Sequence, residues 1–123
     1  MDRYADKYEN LKKNIYFQNV YGNGKSCANK YLVMYIIENR TDITKFGISV
    51  SKKVGNSIVR HRLTRLIRES VRLNCEKIKT GYDIVIIART NLKGKNYSDT
   101  CSAFLHLCRL HRILKDTGPE EIS

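Results

Sequence analysis

Residues 49–69, SVSKKVGNSIVRHRLTRLIRE, hold the densest run of side chains able to do chemistry. Wound as a helix at ~100° per residue, the segment sorts itself into two faces. Val59, Leu63, Leu66 and Ile67 cluster on one side; Arg60, His61, Thr64, Arg65, Arg68 and Arg72 spread over the other. The apolar stripe predicts a docked face and the basic stripe an outward one. A merely solvated face would mix charge signs, yet Glu69 is the only acid between Lys52 and Arg72. Like charges three or four residues apart repel mildly unless a partner neutralises them. The guanidinium's planar fork matches two phosphate oxygens at once. The chemistry indicated is phosphate recognition by a nucleic-acid-binding helix.

Other candidate chemistry is thin. No Ser/His/Asp arrangement supplies a nucleophile. No dense carboxylate cluster supplies a metal site: Asp83 opens a strand that leads inward, and Glu69 lies among arginines. Cys101, His106, Cys108 and His111 invite a zinc reading, but C-x4-H-x-C-x2-H does not match the usual finger spacings. On a helix, Cys101 and Cys108 share an apolar face with Phe104 and Leu105. Buried free thiols act as small hydrophobes, and these read as core.

The elements that must position the basic helix follow from periodicity. Asn14 is the expected cap of a short helix, NIYFQNVYG, ended by Gly22, with Phe17, Val20 and Tyr21 on one face. Residues 31–38 read as a strand. Residues 45–51 alternate, Phe46, Ile48 and Val50 against Gly47, Ser49 and Ser51. Gly55-Asn56 starts the basic helix, which runs to about Asn74. Residues 82–89, almost wholly apolar, read as a central strand. Ser98 is the expected cap of the last helix. Residues 1–12 and 116–123 are expected to be flexible around one RNA-binding domain spanning 1–123. The predicted class is α+β, helices layered on a small sheet.

Bulk properties agree. The 123 residues suit one domain. Twenty-three Lys and Arg against twelve Asp and Glu give a formal charge of +11, a field that polyanions feel at a distance. Four cysteines form no CxxC pair, and the start MDRYADKYENLKK is charged, unlike a secretory signal. The longest apolar run, YLVMYII, is far shorter than the ~20 residues of a membrane span. The expectation is a cytoplasmic protein with reduced thiols and no membrane partner.

Residues 47–69, GISVSKKVGNSIVRHRLTRLIRE, are similar to the signature of the bacterial ribonuclease P protein family. That pattern is a Lys-x-Gly-Asn step leading into a helix with an Arg-Asn-Arg core. LKKNIYFQNVY resembles the family's first helix and GYDIVIIART its last strand, so the resemblance covers residues from about 11 to about 115. Two positions depart from it. His61 stands in the middle of the Arg-Asn-Arg core, and Thr64 stands where the family usually places Lys.

The resemblance implies a single-domain α/β sandwich, with a four-stranded central sheet and a left-handed β-α-β crossover, against the usual right-handed rule. It is the fold type of the second domain of a small-subunit ribosomal protein. By position it assigns contact with a catalytic RNA to Lys53, Asn56, Arg60, His61, Arg62, Arg65 and Arg68. Asn56 has an equal claim as the helix cap. It further implies a cleft for the single-stranded 5′ leader of precursor tRNA, formed by Phe17, Tyr21 and Tyr35, with Ser49, Ser51, Lys52 and Arg89 near its rim. Aromatic platforms beside a positive groove suit single-stranded RNA. Against this, Phe17 and Tyr21 can be read as core. In the family the RNA subunit holds Mg²⁺ and activates the water; the protein is not itself catalytic.

Three rivals use the same charge. A ribosomal-type RNA binder would share the basic helix but need no aromatic cleft. A sequence-specific DNA reader would pair its recognition helix with a preceding helix; here a strand precedes it. A protein-only nuclease would need more acidic ligands. The resemblance favours an RNA partner over DNA.

Overall fold

The computed structural model describes residues 5–115. Its elements, in order, are β1 (Tyr8–Asn10), α1 (Asn14–Asn23), β2 (Lys25–Ala28), β3 (Leu32–Glu38), β4 (Thr44–Ser49), α2 (Ser57–Asn74), β5 (Tyr82–Ala88) and α3 (Tyr97–Leu110). Short 3-10 turns at Cys75–Lys77 and Thr90–Leu92 flank β5. The strands form one mixed sheet in the order β1-β4-β5-β3-β2. β4 runs parallel to both β1 and β5, and β3 runs antiparallel to β5 and β2. The parallel neighbours β4 and β5 require a crossover, and α2 supplies it.

β5 is central and apolar because both its faces are covered. On one face Met34, Ile36, Phe46, Ile84 and Ile86 pack with Leu63, Ile67 and Val71 of α2 and with Phe104, Leu107 and Cys108 of α3. On the other, Val85 packs with Leu11 and Val20, with Phe17 and Tyr35 leaning on them. The result is three layers: α1, the sheet, then α2 and α3. The burial of Cys108 places that thiol in the core, as its helical spacing predicts.

Several local expectations need correction. Among the described residues the sheet has five strands, not four. The fifth is β1, within the stretch expected to be flexible. Tyr8 and Leu11 are buried, and the Tyr8 hydroxyl donates to the Ile78 carbonyl. β1 was illegible because only one of its three side chains points inward. The expected flexibility of residues 1–4 and 116–123 lies outside the described residues. Asn14 does not cap α1: Lys13 holds the cap position without a side-chain bond, and Asn14 is already helical. The helix ends at Gly24 rather than Gly22, and only glycine fits there, since a Cβ at 24 would lie 2.6 Å from the carbonyl oxygens of Val20 and Ile36. Ser98 does not cap α3 either. Asn96 does, in a reciprocal box with Asp99 (Asp99 N–H to Asn96 Oδ1 3.0 Å).

Candidate nucleic-acid interface

α2 begins where its sequence dictates. The Asn56 side-chain oxygen accepts the Val59 N–H at 3.0 Å, so the capping reading of Asn56 holds. The helix then turns Leu63, Ile67, Ser70, Val71 and Asn74 inward. His61 and Arg65 stand on the exposed crest, while Arg60 and Arg68 are half-buried on its flank. Arg60 is therefore less outward than helical spacing alone suggests, and its buried Nε has no hydrogen-bond partner. Thr64 folds back, its hydroxyl donating to the Arg60 carbonyl at 2.8 Å. Arg62 leans the other way and donates through Nη2 to the Lys95 carbonyl at 2.6 Å.

Not every arginine of the stripe is available. Arg72 donates through Nε to Glu69 at 3.0 Å and through Nη2 to the second carboxylate oxygen. This bidentate partner holds the Glu69 carboxyl below its ordinary range. Toward the start of α2, Ser57, Ile58, His61, Arg62 and Arg65 line a shallow depression of about 430 Å³. Ile58 is 78% exposed there, an aliphatic side chain among cations. Sequence reading passed over it because it lies off the apolar stripe.

The second surface lies on the α1 face of the sheet. Strand register sets Gly47, Val85, Tyr35 and Ser26 in one row, and Ser49, Ile87, Val33 and Ala28 in the next row of the same face. α1 covers the first row. Phe17 sits against Gly47, where a Cβ would come within 2.6 Å of Phe17 Cε1. The rings run on from Phe17 to Tyr21 (centroids 6.5 Å apart, tilted 55°) and from Tyr21 to Tyr35 (5.2 Å, edge-on at 80°). Burial raises the Tyr21 phenol above its ordinary pKa, partly offset by a hydrogen bond with Ser49. The Ser49–Ile87–Val33 row stays half-buried beside this ladder and forms a floor with small or aliphatic side chains.

Phe17 is neither plain core nor fully free. It is half-buried, and Tyr21 is 36% exposed, so one edge of the ladder meets solvent. Ser51 continues the Gly47–Ser49 parity past the end of β4. The chain then makes a tight turn, Val54 N–H to Ser51 O at 3.1 Å, which exposes Lys52 and Lys53 and buries Val54. Arg89 continues β5 on the cleft side and is anchored by an Nη1 bond to the Asn29 carbonyl at 2.8 Å. The fourteen residues singled out from the sequence thus form two surfaces joined at Ser51–Asn56. Sequence reading missed two cation–aromatic groups. Lys45 lies 5.3 Å over the Tyr16 ring, and Lys30 and Lys95 each lie 5.6 Å from the Tyr31 centroid.

Comparison with known proteins agrees with this architecture. The family model described as Ribonuclease P matches residues 5–112. The ribonuclease P protein component of Lachnoclostridium phytofermentans is 59% identical over 112 residues, 91% of this chain and 97% of that protein. The RNase P protein of Staphylococcus aureus superposes with a TM-score of 0.80 at 34% identity, covering 88% of this chain and 98% of that one. The RNase P protein of Thermotoga maritima gives 0.75 at 31% identity, covering 81% and 96%. A family match over most of the chain, a relative well above 30% identity and a shared fold all point one way: the chain belongs to the bacterial ribonuclease P protein family.

Proposed function

We propose that this chain is the protein subunit of a cytoplasmic ribonuclease P ribonucleoprotein. In this reading it binds the catalytic RNA through Lys53, Asn56, Arg60, His61, Arg62, Arg65 and Arg68. It binds the 5′ leader of precursor tRNA along Phe17, Tyr21, Tyr35, Ser49, Ser51, Lys52 and Arg89. The holoenzyme then cleaves the leader endonucleolytically, leaving the mature tRNA 5′ end.

The observation that carries the proposal is the Phe17–Tyr21–Tyr35 ladder beside the Ser49–Ile87–Val33 floor. Single-stranded bases stack on aromatic faces for ~1–3 kcal/mol each, and a backbone needs small floor residues beside them. A ribosomal-type binder would use the basic helix and leave such a cleft without a purpose.

Mg²⁺ belongs to the RNA subunit in this reading. Among the described residues, no three His, Cys, Asp or Glu side chains converge as a ligand set, so no step is assigned to a metal on this chain. The protein's contribution is electrostatic and positional: cations that offset phosphate repulsion, and a cleft that holds the leader.

The test is reconstitution. The chain, a bacterial ribonuclease P RNA and a 5′-labelled precursor tRNA are combined at low Mg²⁺. Cleavage at the mature 5′ end that needs both components supports the proposal. Tight RNA binding without stimulation, repeated with the cognate RNA, would move the assignment to a non-catalytic RNA binder.

A further inference from the structure

A wide concavity among the described residues belongs to neither surface above. It is an open groove of about 970 Å³ where the start of β2, the end of β3, the start of β5 and the end of α3 meet. Strand register separates it from the leader cleft. The cleft floor uses Val33 and Ile87, whereas the groove uses Ile36–Glu38 and Tyr82, at the opposite ends of the same two strands.

The groove is cationic. Lys25, Arg40 and Arg112 line it against a single acid, Glu38. Among the described residues none of the three cations is in an ion pair. Two of them also stand on unusual backbone. Arg40 and Arg112 each have φ +59°, the left-handed region that Gly and Asn enter more readily. Among the described residues, the only other non-glycine in this region is Lys7. At Arg112 the left-handed residue ends α3, with the Arg112 N–H bonded to the Arg109 carbonyl at 3.0 Å and the Ile113 N–H to the Cys108 carbonyl at 3.1 Å, and both turns bring a long cationic side chain to the one groove.

The acceptor narrows the ligand. His111 is tethered by Nε2 to the Met34 carbonyl at 3.0 Å. A carbonyl only accepts, so Nε2 donates and ties the end of α3 to β3. The acceptor in the groove is the Glu38 carboxylate. A phosphodiester has no proton to give it, whereas a ribose 2′-hydroxyl has. The half-buried Tyr82 ring adds an apolar wall. Three cations for phosphates, a carboxylate acceptor for a ribose 2′-hydroxyl, and an aromatic wall fit a ribonucleotide strand better than DNA or free phosphate.

We infer that this groove is a further RNA-binding site, which takes a single-stranded ribonucleotide segment distinct from the leader held in the α1 cleft. The inference rests on the RNA-binding function proposed above and adds a second strand path to it. Arg40 and Arg112 bind phosphates, Lys25 widens the positive field, and Glu38 accepts from a ribose 2′-hydroxyl, which deoxyribose lacks.

Photo-crosslinking tests this site by site. The full chain is irradiated with an iodouridine-substituted oligouridylate of about 12 nucleotides and, separately, with its DNA counterpart; crosslinked peptides are mapped. The variant is Arg40→Gly/Arg112→Gly, which removes both charges while relieving the backbone, so it keeps the fold. RNA crosslinks are expected in peptides holding 36–40, 82 and 110–112, weakened about tenfold in the variant and with DNA, while α1-cleft crosslinks persist. No crosslinks there, undiminished crosslinks in the variant, or equal labelling by DNA would each overturn the inference. Reconstituted cleavage by the wild-type chain is scored in parallel. Its failure would count against the ribonuclease P proposal, whereas mapped groove crosslinks are read independently of it.

Discussion

The ring of Phe17 occupies the space that a side chain at Gly47 would need: a Cβ there would come within 2.6 Å of Phe17 Cε1 and 3.3 Å of Leu11 Cδ2. The row of the sheet under α1 and the first aromatic of the ladder are therefore fitted to each other. Gly47→Ala is expected to push Phe17 off the sheet and cost about 1–3 kcal/mol of stability, the usual penalty for overpacking. It should weaken binding of leader-bearing precursor tRNA and leave mature tRNA unaffected. Phe17→Ala should lose ~1–3 kcal/mol of leader binding, the worth of one stacked base. Fluorescence titration of both RNAs against each variant, with thermal melts to check folding, decides this. Equal losses for precursor and mature tRNA would remove the leader-specific role.

Arg60→Ala/Arg65→Ala is expected to lower affinity for the RNA subunit and flatten its salt dependence. Each lost phosphate contact should reduce the slope of log K against log salt by about 0.7–0.9. Arg65 is exposed on the crest and Arg60 half-buried on the flank, so the single variant at 65 should keep its melting temperature while that at 60 loses some. Filter binding across a salt series measures the slope.

Asn56 separates capping from RNA contact. Asn56→Ala removes the 3.0 Å bond to the Val59 N–H and should cost about 1 kcal/mol of stability. Asn56→Asp keeps a good cap but adds a negative charge beside the RNA. If the residue also touches RNA, the Asp variant will melt normally and bind the RNA subunit several-fold more weakly. If it only caps, RNA affinity will follow stability in both variants.

The buried thiol of Cys108 predicts how the protein fails in alkali. Burial pushes its pKa from 9.0 to about 12. The folded state keeps the proton that the unfolded state gives up first. The resulting stability is complete below pH 9 and is lost as pH rises from about 9 toward 12. Cys108→Ala should flatten that part of the stability curve while lowering stability at neutral pH through the cavity it leaves. Urea melts between pH 7 and 11 test this; an unchanged alkaline slope would show that other groups dominate.

α2 was legible because three independent signals coincide: an apolar stripe, a one-signed polar face and an Asn cap. β3 and β5 declare themselves through runs of Ile and Val. β1 and β2 do not, because an edge strand needs few inward side chains. The helix starts at 14 and 97 were misread where two polar residues compete for the cap and packing chooses between them. The cleft was legible only through the family resemblance. Phe17, Tyr35 and Ser49 come from three elements, and only strand register brings them to one face. Ile58 and the Tyr31 group carry no periodic signal.

The Tyr8 hydroxyl reaches the carbonyl of Ile78, and Ile78 forms a bridge with Leu114. Residues near the start, the middle and the end of the described chain are thus tied at one point. During synthesis the earliest of them must wait: β1 has nothing to pair with until residues 44–46 have emerged, and Tyr8 has no acceptor until Ile78 has. The helix α1, which roofs the aromatic cleft and follows β1 directly, is thus translated well before the strands that secure it.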